Sequence, residues 1–227
     1  NTEKITIKPP AKINSIPKPA FLIFLVIIFA FFWFWNLKPF YLYEKIVLAK
    51  NLTNAQQCKD ALRVTNSYNW AKSGILRPFA GLYYYDVVKN CTSIEPAREL
   101  EFSKKALDFV EIASELQPKY TRTWIIKGAL ANVLAARQEN PEVKSNLLQE
   151  ARTYLHKALE LSPKRQEVLI ELEKTYILAE DYTSMEKVAN DCIAIDPERA
   201  ECYWYLGIAQ IFMGRQEEGK KNISLSK

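Results

Sequence analysis

Glycine and histidine are scarce in this chain of 227 residues, which has six glycines and a single histidine, His156. The glycines do not cluster, so the sequence has no glycine-rich loop that could cradle a phosphate or a dinucleotide. The four cysteines form no CxxC pair, which together with the lone histidine excludes most zinc sites and histidine-based catalytic triads. We therefore expect no catalytic residue, no metal site and no cofactor.

Net positive charge is small outside the N-terminal segment. The formal net charge is +5, and the first 43 residues contribute +4 of it through five lysines and one glutamate. The rest of the chain is nearly neutral, whereas a folded nucleic-acid-binding domain usually carries a basic surface. We expect no nucleic-acid partner. Apolar residues, by contrast, make up 48% of the chain, which is enough for a substantial core.

One long apolar run lies near the start, where residues 20–35 have the sequence AFLIFLVIIFAFFWFW. Extended by two residues, this run forms a helix of roughly 27 Å, close to the thickness of the hydrocarbon core of a bilayer. Lys18 and Lys38 flank the run, and aromatic residues crowd its C-terminal end, as is typical of membrane interfaces. The sequence therefore predicts one transmembrane helix, over residues 20–38, that contacts the lipid bilayer.

Two other interpretations of this run are a cleaved signal peptide and a buried core helix. A signal peptide needs a small-residue cleavage site, which the phenylalanine- and tryptophan-rich end does not offer, and a core helix would be unusually uniform. The lysine distribution favours a cytoplasmic N-terminus, which would place the repeats described below outside the cytoplasm. We expect a flexible lysine- and proline-rich linker over residues 1–19 and juxtamembrane helices over residues 39–76.

Three later segments end alike, at Pro118, Pro163 and Pro197, and apolar residues recur within them at helical spacing. Pro163 and Pro197 are 34 residues apart, whereas Pro118 and Pro163 are 45 residues apart. Strand-like alternation is not sustained anywhere, so the predicted fold class is all-α. Twelve positions before each proline is a small or flexible residue: Ala106, Ala151 or Met185. Six positions after each proline is a large apolar residue: Trp124, Leu169 or Tyr203.

This pattern resembles the tetratricopeptide repeat (TPR), a 34-residue pair of antiparallel helices with the pattern W-x2-L-G-x2-Y, A-x3-F and P. Met185 departs from the pattern, which has a small residue at that position. The resemblance implies an α-solenoid over residues 77–227, with units at about 77–118, 119–163, 164–197 and 198–227, the last of them truncated. The residues expected to pack helix against helix are Trp124, Gly128, Ala151, Ala158, Leu172, Tyr176, Tyr203, Leu206 and Gly207.

The second unit has eleven additional residues, and we place them around the turn at residues 137–141. There Asn140 is expected to cap a helix and Pro141 to occupy its first turn. The chain begins with Asn1 instead of methionine, and the last unit stops before its closing proline. Both features suggest a piece of a longer protein with further repeats.

The resemblance also implies a binding surface, because TPR proteins bind a protein or peptide in a concave groove lined by the first helix of each pair. The groove lacks the cluster of lysine, asparagine and arginine with which some family members clamp a terminal carboxylate, so we do not expect a chaperone-tail receptor. The expected function is a membrane-anchored, non-catalytic module for protein–protein interaction. By repeat position the groove residues are Arg122, Ile125, Asn132, Glu167, Ile170, Lys174, Trp204, Ile208 and Ile211.

The layout of the chain supports an alternative function. A linker, an aromatic-rich apolar helix and TPR units in this order resemble the C-terminal part of bacterial O-antigen ligase and polymerase-like membrane proteins. This resemblance implies that the chain is the accessory tail of a glycan transferase whose catalytic part lies upstream. An upstream open reading frame with further apolar spans would distinguish this alternative from a free-standing interaction module.

The remaining polar residues have simpler interpretations. His156 is expected to be exposed, Cys192 to fill the core, and the run Glu171–Lys174 to form a solvated helix face. Cys58 and Cys91 approach each other if the helix that contains Cys58 packs on the one that contains Gly81. The sequence alone does not determine how the four cysteines pair.

Overall fold

The computed structural model describes residues 18–33, 38–67, 77–91 and 94–226, and every regular element within these ranges is helical. The predicted all-α fold class is therefore confirmed for the described residues. The chain divides into two compact units, residues 1–44 and residues 45–227, and each is described separately. The helices are α1 Lys18–Phe32, α2 Lys38–Asn54, α3 Cys58–Asn66, α4 Arg77–Asn90, α5 Pro96–Leu116, α6 Thr121–Ala136, α7 Pro141–Leu161, α8 Gln166–Leu178, α9 Tyr182–Ile195, α10 Ala200–Phe212 and α11 Gln216–Leu225.

The apolar run near the start forms α1, which has 15 residues and ends at Phe32. At 1.5 Å per residue α1 is roughly 22 Å long, whereas a spanning helix needs about 20 residues. Across the described ranges, no helix combines the length and the apolar character that crossing a membrane requires. The prediction of a transmembrane helix over residues 20–38 is therefore wrong, and with it the predicted single-span membrane location with extracytoplasmic repeats. Residues 1–17, which include most of the predicted linker, and residues 34–37 lie outside the described residues.

From α4 onward the helices pack as consecutive pairs: α4 with α5, α6 with α7, α8 with α9, and α10 with α11. The first helices of neighbouring pairs also contact one another, so that α4, α6, α8 and α10 form one continuous layer. The second helices α5, α7 and α9 also contact the first helix of the next pair, α6, α8 and α10 respectively. Each pair leaves an apolar face that only the next pair covers, which is the arrangement of an α-solenoid.

Small residues allow the two helices of a pair to approach closely. A Cβ atom on Gly128 would lie 2.5 Å from the side chain of Leu155, and one on Gly207 would lie 2.6 Å from the carbonyl oxygen of Gly219. Trp124 is half-buried, and its indole Nε1 donates a hydrogen bond of 2.8 Å to the carbonyl of Pro118. Among the other residues expected to pack helix against helix, Tyr203 is half-buried. The remaining ones are buried: Ala151, Ala158, Leu172, Tyr176, Leu206 and Gly207.

The eleven additional residues of the second unit lengthen its helices. Helix α6 has 16 residues, whereas α8 and α10 have 13, and α7 has 21 residues, whereas α9 has 14. The turn at residues 137–140 is one residue longer than the turn at residues 179–181. As predicted, Pro141 occupies the first turn of α7, and the side chain of Asn140 accepts hydrogen bonds from the N–H groups of Glu142 and Val143.

The four cysteines form two disulfides. Cys58 pairs with Cys91, which joins the start of α3 to the residue after α4. Cys192 pairs with Cys202, which joins α9 to α10 and thus links two neighbouring helix pairs. Cys192 is fully buried, as expected of a core residue, but it is also bonded. The pairing that the sequence leaves open is therefore set by the way α3 packs on α4 and α9 packs on α10.

Several charged side chains are buried. Glu171 and Glu173 are 4% and 0% exposed, so the expectation that residues 171–174 form a solvated face is wrong. The reason is that α8 lies between two neighbouring pairs and contacts α6, α7, α9 and α10, which leaves little of its surface in contact with water. Lys127 is also buried, and its Nζ atom lies 2.6 Å from the carboxylate of Glu111.

Candidate functional site

A groove of about 390 Å³ runs across the first helices of three successive pairs, α4, α6 and α8. Its walls are mainly apolar, and a few polar side chains lie between the apolar ones. Concave sites of this size, with few polar groups, are typical of ligand-binding sites in proteins. The lining residues are Tyr85, Val88, Lys89, Glu99, Ala129, Asn132, Val133, Ala136, Glu171, Lys174, Ile177 and Leu178.

Asn132 is the most unusual polar residue of this groove. It is 5% exposed, and its Nδ2 atom donates a hydrogen bond of 3.1 Å to the backbone carbonyl of Glu171. Its Oδ1 atom is buried and has no hydrogen-bond partner. An unpaired buried acceptor costs free energy, so a donor that reached this oxygen atom would be bound favourably.

The charged residues of the groove have partners inside the lining or next to it. Lys174 Nζ lies 2.7 Å from a carboxylate oxygen of Glu171, and Arg137 Nε donates a hydrogen bond of 2.8 Å to the carboxylate of Glu99. Lys89 Nζ lies 5.7 Å from the centre of the Tyr85 ring. The polar part of the wall is therefore largely neutralised, and this favours the binding of a neutral, apolar ligand over a strongly charged one.

Tyr85 forms one wall of the groove and remains a neutral phenol. Burial raises the pKa of Tyr85 far above its usual range, and the carboxylates of Glu171 and Glu167 raise it further. Arg122 lowers the pKa by a smaller amount. The Tyr85 side chain therefore presents an uncharged aromatic surface to the groove at any physiological pH.

A second cavity, of about 260 Å³, lies next to α2 and α4 and is more polar. Arg122 and Lys50 contribute cations to its lining, and Asp86 contributes a carboxyl group. Burial raises the pKa of Asp86, and the opposing effects of Arg122, Lys50 and Lys89 only reduce that increase. The lining is completed by Ala49, Thr53, Asn54, Tyr83, Val87 and Asn90.

The structure places the groove residues named from the sequence in different surroundings. Asn132 and Lys174 line the groove of 390 Å³, and Arg122 lines the second cavity. Ile125 and Ile170 are buried in the core, and Ile208 packs partly buried against it. Ile211 packs against α11, where its Cγ1 atom would lie only 2.5 Å from a Cβ atom added to Gly219. Glu167 is half-buried in an ion pair with Arg165, and Trp204 is 40% exposed on α10.

Sequence reasoning missed the part of the groove that α4 supplies: Tyr85, Val88 and Lys89. Within the unit that contains α4, this first helix resembles the repeat pattern only at Gly81 and Tyr84, so it offered no reliable register for carrying groove positions over. It also missed Val133, Ala136 and Leu178, which lie in the last turns of α6 and α8. The available signal was the four-residue spacing of Ala136 from Asn132 and of Leu178 from Lys174, because residues four apart lie on the same face of a helix.

One group of residues within the described ranges has the composition of a metal site. Glu173, Cys192 and Cys202 are all buried, and one potential ligand atom from each lies within 4.8 Å of the others. Burial raises the pKa of Glu173 to about 9, and the carboxylate of Glu201 contributes to the increase. The expectation of no metal site rested on histidine and CxxC spacing, so it did not consider this group. His156, by contrast, is exposed on α7.

The fold is that of TPR proteins. TTC0263, a thermophilic TPR protein of Thermus thermophilus, superimposes with a TM-score of 0.62 over 81% of this chain and 89% of its own, at 17% identity. MamA (41-end) from Desulfovibrio magneticus RS-1 gives a TM-score of 0.51 over 80% of this chain and 93% of its own, at 16% identity. MamA AMB-1 superimposes with a TM-score of 0.51 over 80% of this chain and 95% of its own, at 14% identity. At these identities the similarity establishes the TPR fold alone.

Comparisons at the level of sequence give no further assignment. No family model matches the sequence, and no curated protein matches it. The resemblance to TPR proteins is thus supported by structure, whereas the layout resemblance to O-antigen ligase-like proteins finds no support in these comparisons. The membrane-spanning helix on which that layout depended is likewise not found in the described ranges.

Proposed function

We propose that the chain is a non-catalytic protein-interaction module that binds an extended, mainly apolar peptide segment in the groove formed by α4, α6 and α8. The unpartnered Oδ1 atom of Asn132 is the observation that carries this proposal. A peptide in an extended conformation has free backbone N–H groups, and one of them donates a hydrogen bond to this oxygen atom. Apolar side chains of the peptide then contact the walls made by Tyr85, Val133 and Ile177.

The size and chemistry of the groove support a peptide ligand. A cavity of about 390 Å³ accommodates a few side chains. Lys174 in its lining already pairs with Glu171, and Glu99 with Arg137 beside the lining. Burial of the apolar side chains supplies most of the binding free energy, whereas the hydrogen bond to Asn132 fixes the position of the peptide along the groove.

The test is selection of peptides from a random phage-displayed library on the purified chain, followed by affinity measurements with variants. Ala136 is exposed and lines the groove, so Ala136→Trp fills the groove without disturbing the core. We expect it to weaken binding of the selected peptides at least about tenfold. The matched control is Ala194→Trp, at an exposed position of α9 outside the groove, which should bind like the parent.

A second variant tests the hydrogen bond. Asn132→Leu keeps a similar volume and removes the acceptor, and we expect it to weaken peptide binding by about 1–2 kcal/mol. Circular dichroism establishes that the variant is folded. The proposal fails if the library yields no enriched peptide, or if the selected peptides bind Ala136→Trp as tightly as they bind the parent chain.

A further inference from the structure

Three successive helices bring Glu173, Cys192 and Cys202 together, on α8, α9 and α10 respectively. All three side chains are 0% exposed. One carboxylate oxygen and the two sulfur atoms lie within 4.8 Å of one another. Neither carboxylate oxygen of Glu173 has a hydrogen-bond partner. This group lies away from the peptide groove and plays no part in the function proposed above.

A buried carboxylate without a partner needs something that neutralises it. The adjacent Lys174 offsets this charge only in part, because its Nζ atom pairs with Glu171 at 2.7 Å. Glu201 is another anion near Glu173. A bound proton neutralises the carboxyl group when the two sulfur atoms are joined as a disulfide. When they are reduced, a cation held between the carboxylate and the two sulfur atoms can replace that proton.

We propose that Glu173, Cys192 and Cys202 form a Zn²⁺ site in the reduced protein, so that the disulfide and the metal are alternative links between the same helices. Two thiolates and one carboxylate suit Zn²⁺, which binds sulfur, nitrogen and oxygen ligands tetrahedrally. Three protein ligands leave one coordination position open. The metal then connects α8, α9 and α10, and in this way it holds the last two helix pairs together.

The chemical steps balance with a dithiol as the reductant. The dithiol transfers two electrons and two protons to the Cys192–Cys202 bond, becomes a disulfide itself, and leaves two thiols in the protein. Zn²⁺ then displaces the two thiol protons and the proton of Glu173, which pass to solvent. Because all three residues are buried, both steps take place when α9 and α10 separate locally.

The experiment uses the full chain, reduced anaerobically and freed of reductant, and titrated with Zn²⁺ in competition with a chromophoric chelator. Cd²⁺ serves as a second probe, because thiolate coordination gives an ultraviolet charge-transfer band. We expect one Zn²⁺ per reduced chain and none bound by the oxidised chain. Cys192→Ala should abolish binding, and Glu173→Gln should weaken it at least about tenfold, because it removes a direct ligand.

Two controls keep the result interpretable. Cys58→Ala removes a thiol of the other disulfide and should leave the Zn²⁺ affinity unchanged. Glu173→Gln preserves the shape of the side chain, so it remains informative if Cys192→Ala fails to fold, which circular dichroism would reveal. The proposal is overturned if the reduced, folded chain binds no Zn²⁺, if Glu173→Gln binds it with the parent affinity, or if Cys58→Ala abolishes binding.

Discussion

Two glycines show how a single position controls the contact between paired helices. Both allow helices to cross closely, but the atoms that they face differ. The atom nearest to an added Cβ on Gly128 is Cγ of the Leu155 side chain, whereas on Gly207 it is the backbone carbonyl oxygen of Gly219. A side chain can change its rotamer, but a helix backbone has to shift as a whole. The two positions should therefore differ in their tolerance of substitution.

We expect Gly207→Ala to lower the free energy of unfolding by about 2 kcal/mol, through overpacking against the α11 backbone. Gly128→Ala should cost clearly less, because its nearest obstacle is the Leu155 side chain and not a backbone, while the better helix propensity of alanine, about 1 kcal/mol, favours both variants equally. Urea denaturation of both variants measures the difference. The reverse order of the two variants would mean that α10 and α11 separate more easily than the contact at Gly207 implies.

Buried charges are the residue-scale feature that sequence reasoning placed incorrectly. Glu171 and Glu173 lie in a short run rich in charged residues, which normally marks an exposed helix face. The run is buried because α8 has neighbours on several sides. Lys127 is also a buried charge that sequence patterns do not predict. Its Nζ atom lies 4.9 Å from the centre of the Trp124 ring and 4.2 Å from the centre of the Tyr154 ring.

At the scale of the element, the second pair shows how a repeat absorbs an insertion without changing the fold. Its additional residues make α6 and α7 longer than α8 and α9 of the following pair, whereas α5 of the preceding pair has the same 21 residues as α7. Asn140 and Pro141 at the start of α7 are local signals, and the structure confirms the cap and the proline position that the sequence predicts. The extended helix ends should depend on this cap more than on tertiary packing.

Removing the cap tests this dependence. Asn140→Ala should lower the free energy of unfolding by about 1 kcal/mol, because the N–H groups of Glu142 and Val143 lose their acceptor. Thermal unfolding should show a midpoint lower by roughly 2–4 °C. Asn140→Asp keeps an acceptor and should behave like the parent, as should Glu139→Ala at the preceding exposed position. An unchanged midpoint for Asn140→Ala would show that tertiary packing alone holds the start of α7.

At the scale of the whole molecule, the two disulfides join elements at different places in the array. Cys58–Cys91 encloses 33 positions and links α3 to the first pair, whereas Cys192–Cys202 spans 10 positions between the third and fourth pairs. In an α-solenoid each pair contacts only its neighbours, so a change at one end is transmitted weakly to the other. Loss of either disulfide should therefore act locally.

We expect the double variant Cys58→Ala/Cys91→Ala to lose about 3 kcal/mol of stability, because the enclosed segment regains chain entropy in the unfolded state. Amide hydrogen exchange should become faster in α3 and α4 and remain at the parent rate in α10 and α11. The parent chain under oxidising conditions is the reference. Equal acceleration in all helices would instead show that the array opens as a single cooperative unit.

The sequence by itself determined the helical class, the pairing of helices and the turns between them, because apolar periodicity, glycine, proline and capping residues act over a few positions. It also indicated Asn132 and Lys174, which do line the groove. It did not determine where α1 ends, and the membrane span expected from the apolar run proved wrong. Only the tertiary structure decided the contribution of α4 to the groove, the burial of Glu173 and the pairing of the cysteines. Each of these depends on how helices distant in sequence are positioned relative to one another, and no local sequence pattern encodes that position.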